Sequence, residues 1–71
     1  MLAQVYTDGG EDFIRIFEGH LLKKIADLPK PDEKISVTED ADVALHRLHL
    51  YRNQKWQKMD WGFEARVYFR V

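Results

Sequence analysis

Residues 8–28 read DGGEDFIRIFEGHLLKKIADL, and the way they fold decides the architecture. Read as strands, Asp8-Gly9-Gly10-Glu11 is a tight hairpin turn, because glycine supplies the positive φ that primed turns need. In DFIRIF, Phe13, Arg15 and Phe17 then share one side and Ile14 and Ile16 the other. Apolar groups on both sides mark a central strand. Glu18-Gly19 makes a second turn, and HLLKKIAD returns as a third strand. Read as a helix over 12–28, the same stretch offers the capping-box spacing Asp8-x-x-Glu11, early acids, late Lys23 and Lys24, and Pro29 just beyond. Phe13, Phe17, Leu21, Ile25 and Leu28 would line one stripe, and Gly19 would cost about 1 kcal/mol relative to alanine. Two glycine turns at the spacing of a meander favour the strands.

Working outward, LAQVYT at 2–7 reads as the first strand of that meander. PKPDEK is a loop, since each proline removes an amide donor and pushes its predecessor out of helical space. Ile35-Ser36-Val37 alternates and adds a brief strand. Thr38 then offers a hydroxyl as N-cap, with Glu39 and Asp40 where the helix dipole favours negative charge. The spacing predicts a helix over about 39–57, with Ala41, Ala44, Leu45 and Leu48 on one stripe that Trp56 and Met59 continue. A closing strand, 62–71, begins at Gly62. Its odd positions Phe63, Ala65, Val67, Phe69 and Val71 are apolar, and its even positions Glu64, Arg66, Tyr68 and Arg70 are polar or amphipathic. The predicted fold is a single α+β domain over 1–71, with a small antiparallel sheet (a β-meander, about four strands) and one main helix. The alternative is βαβαβ with a helix at 12–28.

The totals bound the function. A chain of 71 residues that is 45% hydrophobic and 13% aromatic can pack a core, which argues against disorder. There is no cysteine, which excludes disulfides, thiolate zinc sites and cysteine nucleophiles and is compatible with a reducing compartment. No basic stretch leads into a long apolar run, and no run approaches the roughly 20 residues that cross a bilayer. The expectation is a soluble cytoplasmic protein without membrane contact. A net charge of -1 hides a split, with -5 over residues 1–42 and +4 over residues 43–71. Such a split steers a partner, or it neutralises itself across one small fold.

Three groups of residues carry the candidate sites. Asp42, His46 and His49 lie along one helical stripe, with Glu39 before them, and zinc accepts these ligand types. No second element specifies a further ligand, although His20 is available, so a solvated polar helix face is the simpler reading and no metal or cofactor is expected. Arg47, Arg52, Lys55, Trp56, Lys58, Arg66, Tyr68 and Arg70 combine cations with rings, as nucleic-acid binding requires, Trp61 adding a further ring. Three strands followed by VTEDADVAL resemble, in layout only, the DNA-binding domains of the integrase-arm and AP2 types. That resemblance implies readout from the sheet, and the acidic N-terminal half opposes it. Finally, Val43 and Leu50 fall opposite the apolar stripe of the predicted helix, giving it two sides to pack.

Catalysis finds little footing. Thr7, Ser36 and Thr38 are the only hydroxyl residues of serine or threonine type, and no nucleophile turn surrounds them. Gly9-Gly10 lacks the glycine-lysine pair of a phosphate loop. The expected function is a small non-enzymatic interaction module, an accessory or regulatory protein that docks another protein or a second copy of itself. Val43, Arg47, Leu50, Arg66, Tyr68 and Arg70 are the expected contacts, since tyrosine and arginine concentrate binding energy. The alternative is a nucleic-acid-binding protein using the basic and aromatic C-terminal half.

Overall fold

The computed structural model describes residues 1–28 and 36–70. The deciding stretch folds as strands. β1 (Leu2–Asp8), β2 (Glu11–Glu18) and β3 (Leu21–Asp27) form an antiparallel meander. Gly9 and Gly10 turn the first corner with φ of 61° and 81°, a geometry that costs any other residue more. Helical spacing over 12–28 is therefore a by-product of alternation. Ile14 and Ile16 are buried on one side of β2, while Phe13, Arg15 and Phe17 are half-buried on the other.

The single helix, α1 (Val37–Arg47), is followed by β4 (Leu50–Arg52), β5 (Gln57–Met59) and β6 (Gly62–Phe69). The sheet thus has six strands rather than about four, in the order β3-β2-β1-β6-β4, with β5 also pairing β6. β4 and β5 lie along the same edge of β6, opposite residues 67–69 and 62–64 respectively. Asn53 N donates to Arg66 O across the gap, and Arg66 N donates to the Gln54 side-chain carbonyl. Together β4 and β5 act as one interrupted edge strand.

The helix is shorter than the predicted 39–57. Its N-cap is Ser36, whose Oγ accepts from Glu39 N at 3.2 Å, and Thr38 lies inside the first turn. Val37 is helical, so the brief strand expected at 35–37 does not form there. Asp40 is buried in the first turn, where the dipole offsets part of the cost of a carboxylate. The far end stops at His49, which takes φ 61°, while Leu48 N and His49 N donate to Leu45 O and His46 O. A left-handed residue after the last turn is the common way for a helix to end, but glycine or asparagine usually fills it. Histidine at that position hides the stop. The predicted PKPDEK loop and Ile35 lie outside the described residues, as does Val71 at the end of the predicted closing strand.

Ala3, Val5, Ile14, Ile16, Leu50 and Val67 on one side of the sheet meet Ala41 and Leu45 of the helix, and Ala65 is buried on the same side. Each large aliphatic side chain buried there stabilises the fold by about 1.5–3 kcal/mol. Gly62 has φ 153° and stands so close to β1 that a Cβ would lie 1.9 Å from Val5 O. No helix of the described residues is long and apolar enough to cross a membrane.

Candidate functional site

One helix covers one side of the sheet. Among the described residues, no element packs on the other side. Strand alternation places Leu2, Gln4 and Tyr6 of β1 there, with Phe13, Arg15 and Phe17 of β2 and Glu64, Arg66 and Tyr68 of β6. Leu22 and Ile25 of β3 complete it, and they are 49% and 50% exposed. Trp61 enters from the turn before β6 and is 42% exposed. A surface of this kind, with rings and aliphatics around a polar row, is one that monomeric proteins seldom leave open without use.

Its residues form three cross-strand rows. In the middle row Gln4 is paired with Arg15 on one side and Glu64 on the other. Arg15 Nε donates to Gln4 Oε1 at 2.7 Å, and Gln4 Nε2 donates to Glu64 Oε1 at 2.9 Å. A cation and a carboxylate are thereby held apart by a neutral amide. One neighbouring row sets Phe13, Tyr6 and Gly62 side by side, and the other sets Phe17, Leu2 and Arg66. The Tyr6 and Phe13 rings stack with centroids 5.6 Å apart. The Arg15 guanidinium carbon lies 4.5 Å from the Tyr6 ring centre, 5.6 Å from that of Phe17 and 5.8 Å from that of Trp61. Rings around a cation hold it in place without neutralising it. A planar guanidinium so framed is suited to meet a carboxylate edge-on.

The side chains singled out in the sequence divide between the two sides. Arg66 and Tyr68 lie on the open side, and Arg70 follows β6 with its backbone N–H donating to His49 O. Val43 and Arg47 are exposed on the helix. Leu50 corrects the reading that placed it beside them. It belongs to β4 and is buried in the core, because the helix has already ended. Arg52 and Trp56 are also not helical. Arg52 grips Asp42 through Nε at 2.6 Å and Nη2 at 3.0 Å, and Trp56 Nε1 donates to the same carboxylate at 3.0 Å. The Arg52 guanidinium is held above its ordinary pKa, first by this hydrogen bonding and then by Coulomb attraction, against partial desolvation. Lys58 pairs with Phe63, on the helix side, and Lys55 lies in the loop between β4 and β5. The six C-terminal cations therefore do not share one side.

The stripe Asp42/His46/His49 is likewise dissolved. Asp42 is engaged by Arg52 and Trp56, His46 stacks on Tyr51 at 4.9 Å, and His49 has left the helix to meet the edge of Phe69 at 6.3 Å. Among the described residues no group of three metal-ligating side chains converges.

Sequence reasoning passed over Gln4, Tyr6, Phe13, Arg15, Phe17 and Glu64 as a surface, and named Trp61 only as a ring beside the C-terminal cations. The signal was present. A central strand that is apolar on both sides needs two covering layers, and one helix supplies a single layer. Comparison with protein-family models, with curated proteins and with solved structures finds no significant match.

Proposed function

We propose that this chain is a non-enzymatic interaction module that docks another protein through the open side of its sheet. The observation that carries the reading is the composition of that side. It combines five aromatic residues (Tyr6, Phe13, Phe17, Trp61 and Tyr68), exposed aliphatics and a framed arginine around a polar centre, with no covering element among the described residues. Aromatic and arginine side chains in one patch are where binding energy concentrates. Of the contacts expected from the sequence, Arg66 and Tyr68 belong to this surface. Val43 and Arg47 stand apart from it on the helix.

The acids on and beside the patch support a protein partner over nucleic acid. The centre of the patch holds Glu64, and Asp8, Glu11 and Asp27 mark one end of the strands. Phosphates would meet acids there. Arg52 and Trp56, two anchors of the nucleic-acid reading, are already engaged with Asp42 at a half-buried site. The role we assign is that of an accessory or regulatory protein in a reducing, cytoplasmic setting, compatible with a chain that has no cysteine.

Native gel electrophoresis of the tagged chain from its own cells tests the reading. The parent is expected to migrate as a complex. Phe17→Glu and Ile25→Glu are expected to release the free chain, and Val43→Glu and Lys58→Glu to leave the complex intact. If the helix-side changes release the chain and the open-side changes do not, the docking surface has been assigned to the wrong side. Nucleic acid in place of protein would show as a complex that disappears on nuclease treatment and weakens steeply with salt.

A further inference from the structure

The middle row of the open side has a property that singles out one occupant. Across the sheet it reads cation, amide, carboxylate: Arg15 on β2, Gln4 on β1, Glu64 on β6. Reversed left to right, it is its own complement. We infer that the open side docks a second copy of this chain, face to face, about a two-fold axis running along β1. The inference rests on the open-side reading above and names its partner.

Such an axis lays β2 of one copy over β6 of the other, and β1 over β1. All three rows then match at once. Arg15 meets the carboxylate of Glu64 in the partner copy, and Glu64 meets Arg15, so two ion pairs form per dimer. Gln4 meets Gln4, and an amide carries both a donor and an acceptor. In the next row Phe13 comes over Gly62, the one residue of that row without a side chain. In the third row Phe17 comes over Arg66, a cation against a ring face. Tyr6 and Leu2 meet their own copies on the axis. An axis across the strands would instead set Arg15 on Arg15 and Glu64 on Glu64, and like charges in contact suppress a pairing. The row order therefore selects one symmetry over the other.

Size supports the same choice. The molecule measures only 31 × 24 × 20 Å, so an interface of the standard roughly 800 Å² per partner would take a large share of one face. A dimer must therefore use much of the width. β1 is the middle strand of the order β3-β2-β1-β6-β4, so an axis along it overlaps the two faces fully. Sheets packed face to face keep their strands within about 30° of alignment, which preserves the row matching close to the axis.

Sedimentation equilibrium of the purified full chain, over a concentration series, is the test. The parent is expected to approach twice the 8.4 kDa chain mass. Arg15→Glu alone and Glu64→Arg alone each create two like-charge contacts and are expected to weaken dimerisation by about 100-fold or more. The double variant Arg15→Glu/Glu64→Arg is expected to regain the dimer. So is an equimolar mixture of the two single variants, because a chain with two acids then faces a chain with two cations. Recovery in the mixture also shows that both single variants are folded, and circular dichroism of each checks this independently. A parent that stays monomeric throughout overturns the inference, as does a dimer indifferent to the swaps or single variants that fail to pair when mixed. A monomeric parent whose cellular complex is still released by Phe17→Glu would mean a different protein on the open side, with the docking reading intact. A cellular complex indifferent to Phe17→Glu and Ile25→Glu would remove both.

Discussion

Asp42 shows how one side chain can be read two ways. From its spacing it is a metal ligand beside His46. In the fold it accepts three hydrogen bonds, two from Arg52 and one from Trp56, and ties the helix to the broken edge strand. Hydrogen bonds to a charged group contribute about 1.5–3 kcal/mol when protected, and less where solvent reaches them, as it does here. Asp42→Ala is expected to cost about 2 kcal/mol and to lower the melting temperature by about 10 °C in a domain of this size. Excess zinc is expected to leave the parent's melting curve unchanged. A zinc-dependent rise would restore the metal reading. The raised pKa of Arg52 has a simple consequence for pH. A cation raised in the folded state contributes its full stability below its unfolded pKa and loses it only as pH rises through the folded one. For arginine that window lies in strong alkali, so titration of Arg52 itself is expected to leave stability unchanged across the neutral range. Gly62 is the other decisive residue. Gly62→Ala would drive a methyl group into Val5 O and is expected to destabilise by about 3 kcal/mol or more, measured by urea unfolding.

At the scale of elements, the strands were legible and the end of the helix was not. Residues 62–67 alternate with the period of two that a strand needs, DFIRIF is apolar on both sides and so fitted a strand or a helix, and the glycine turns decided between them. The helix start lay within two residues of its place, yet the cap was assigned to Thr38 rather than Ser36. Substituting each in turn decides the point: Ser36→Ala is expected to cost about 1 kcal/mol in thermal unfolding, and Thr38→Ala distinctly less. A larger effect at Thr38 would contradict the observed cap. The helix end was hidden because His49 turns the chain where glycine would have announced it, and because Leu48, Trp56 and Met59 continue the apolar spacing by coincidence. That error carried Leu50 from the core to an imagined surface. β4 and β5 were missed for a related reason. Three-residue strands on an interrupted edge are too short to show a period.

Taken whole, the molecule is a two-layer object in which one layer has two finished sides' worth of side chains. On the helix side Leu45 and Ala41 cover the core, although Phe69, opposite Leu50, stays exposed; the open side is built from rings, aliphatics and a row of alternating polarity. The candidate surface was half legible. Arg66 and Tyr68 could be placed by alternation along one strand. Their neighbours Arg15, Phe17 and Gln4 come from strands distant in sequence, and only the register of β1 against β2 and β6 brings them together. The two chain halves meet in charge at Asp42 and Arg52, which pair directly, and in the row that sets Arg15 and Glu64 either side of Gln4. The claim that matters most is that the open side is where this chain meets another. A photo-crosslinking residue placed at Phe17, and separately at Val43, in living cells measures it directly. The expected result is a discrete crosslinked protein from position 17 and none from position 43; a crosslink from position 43 with none from position 17 would contradict the account.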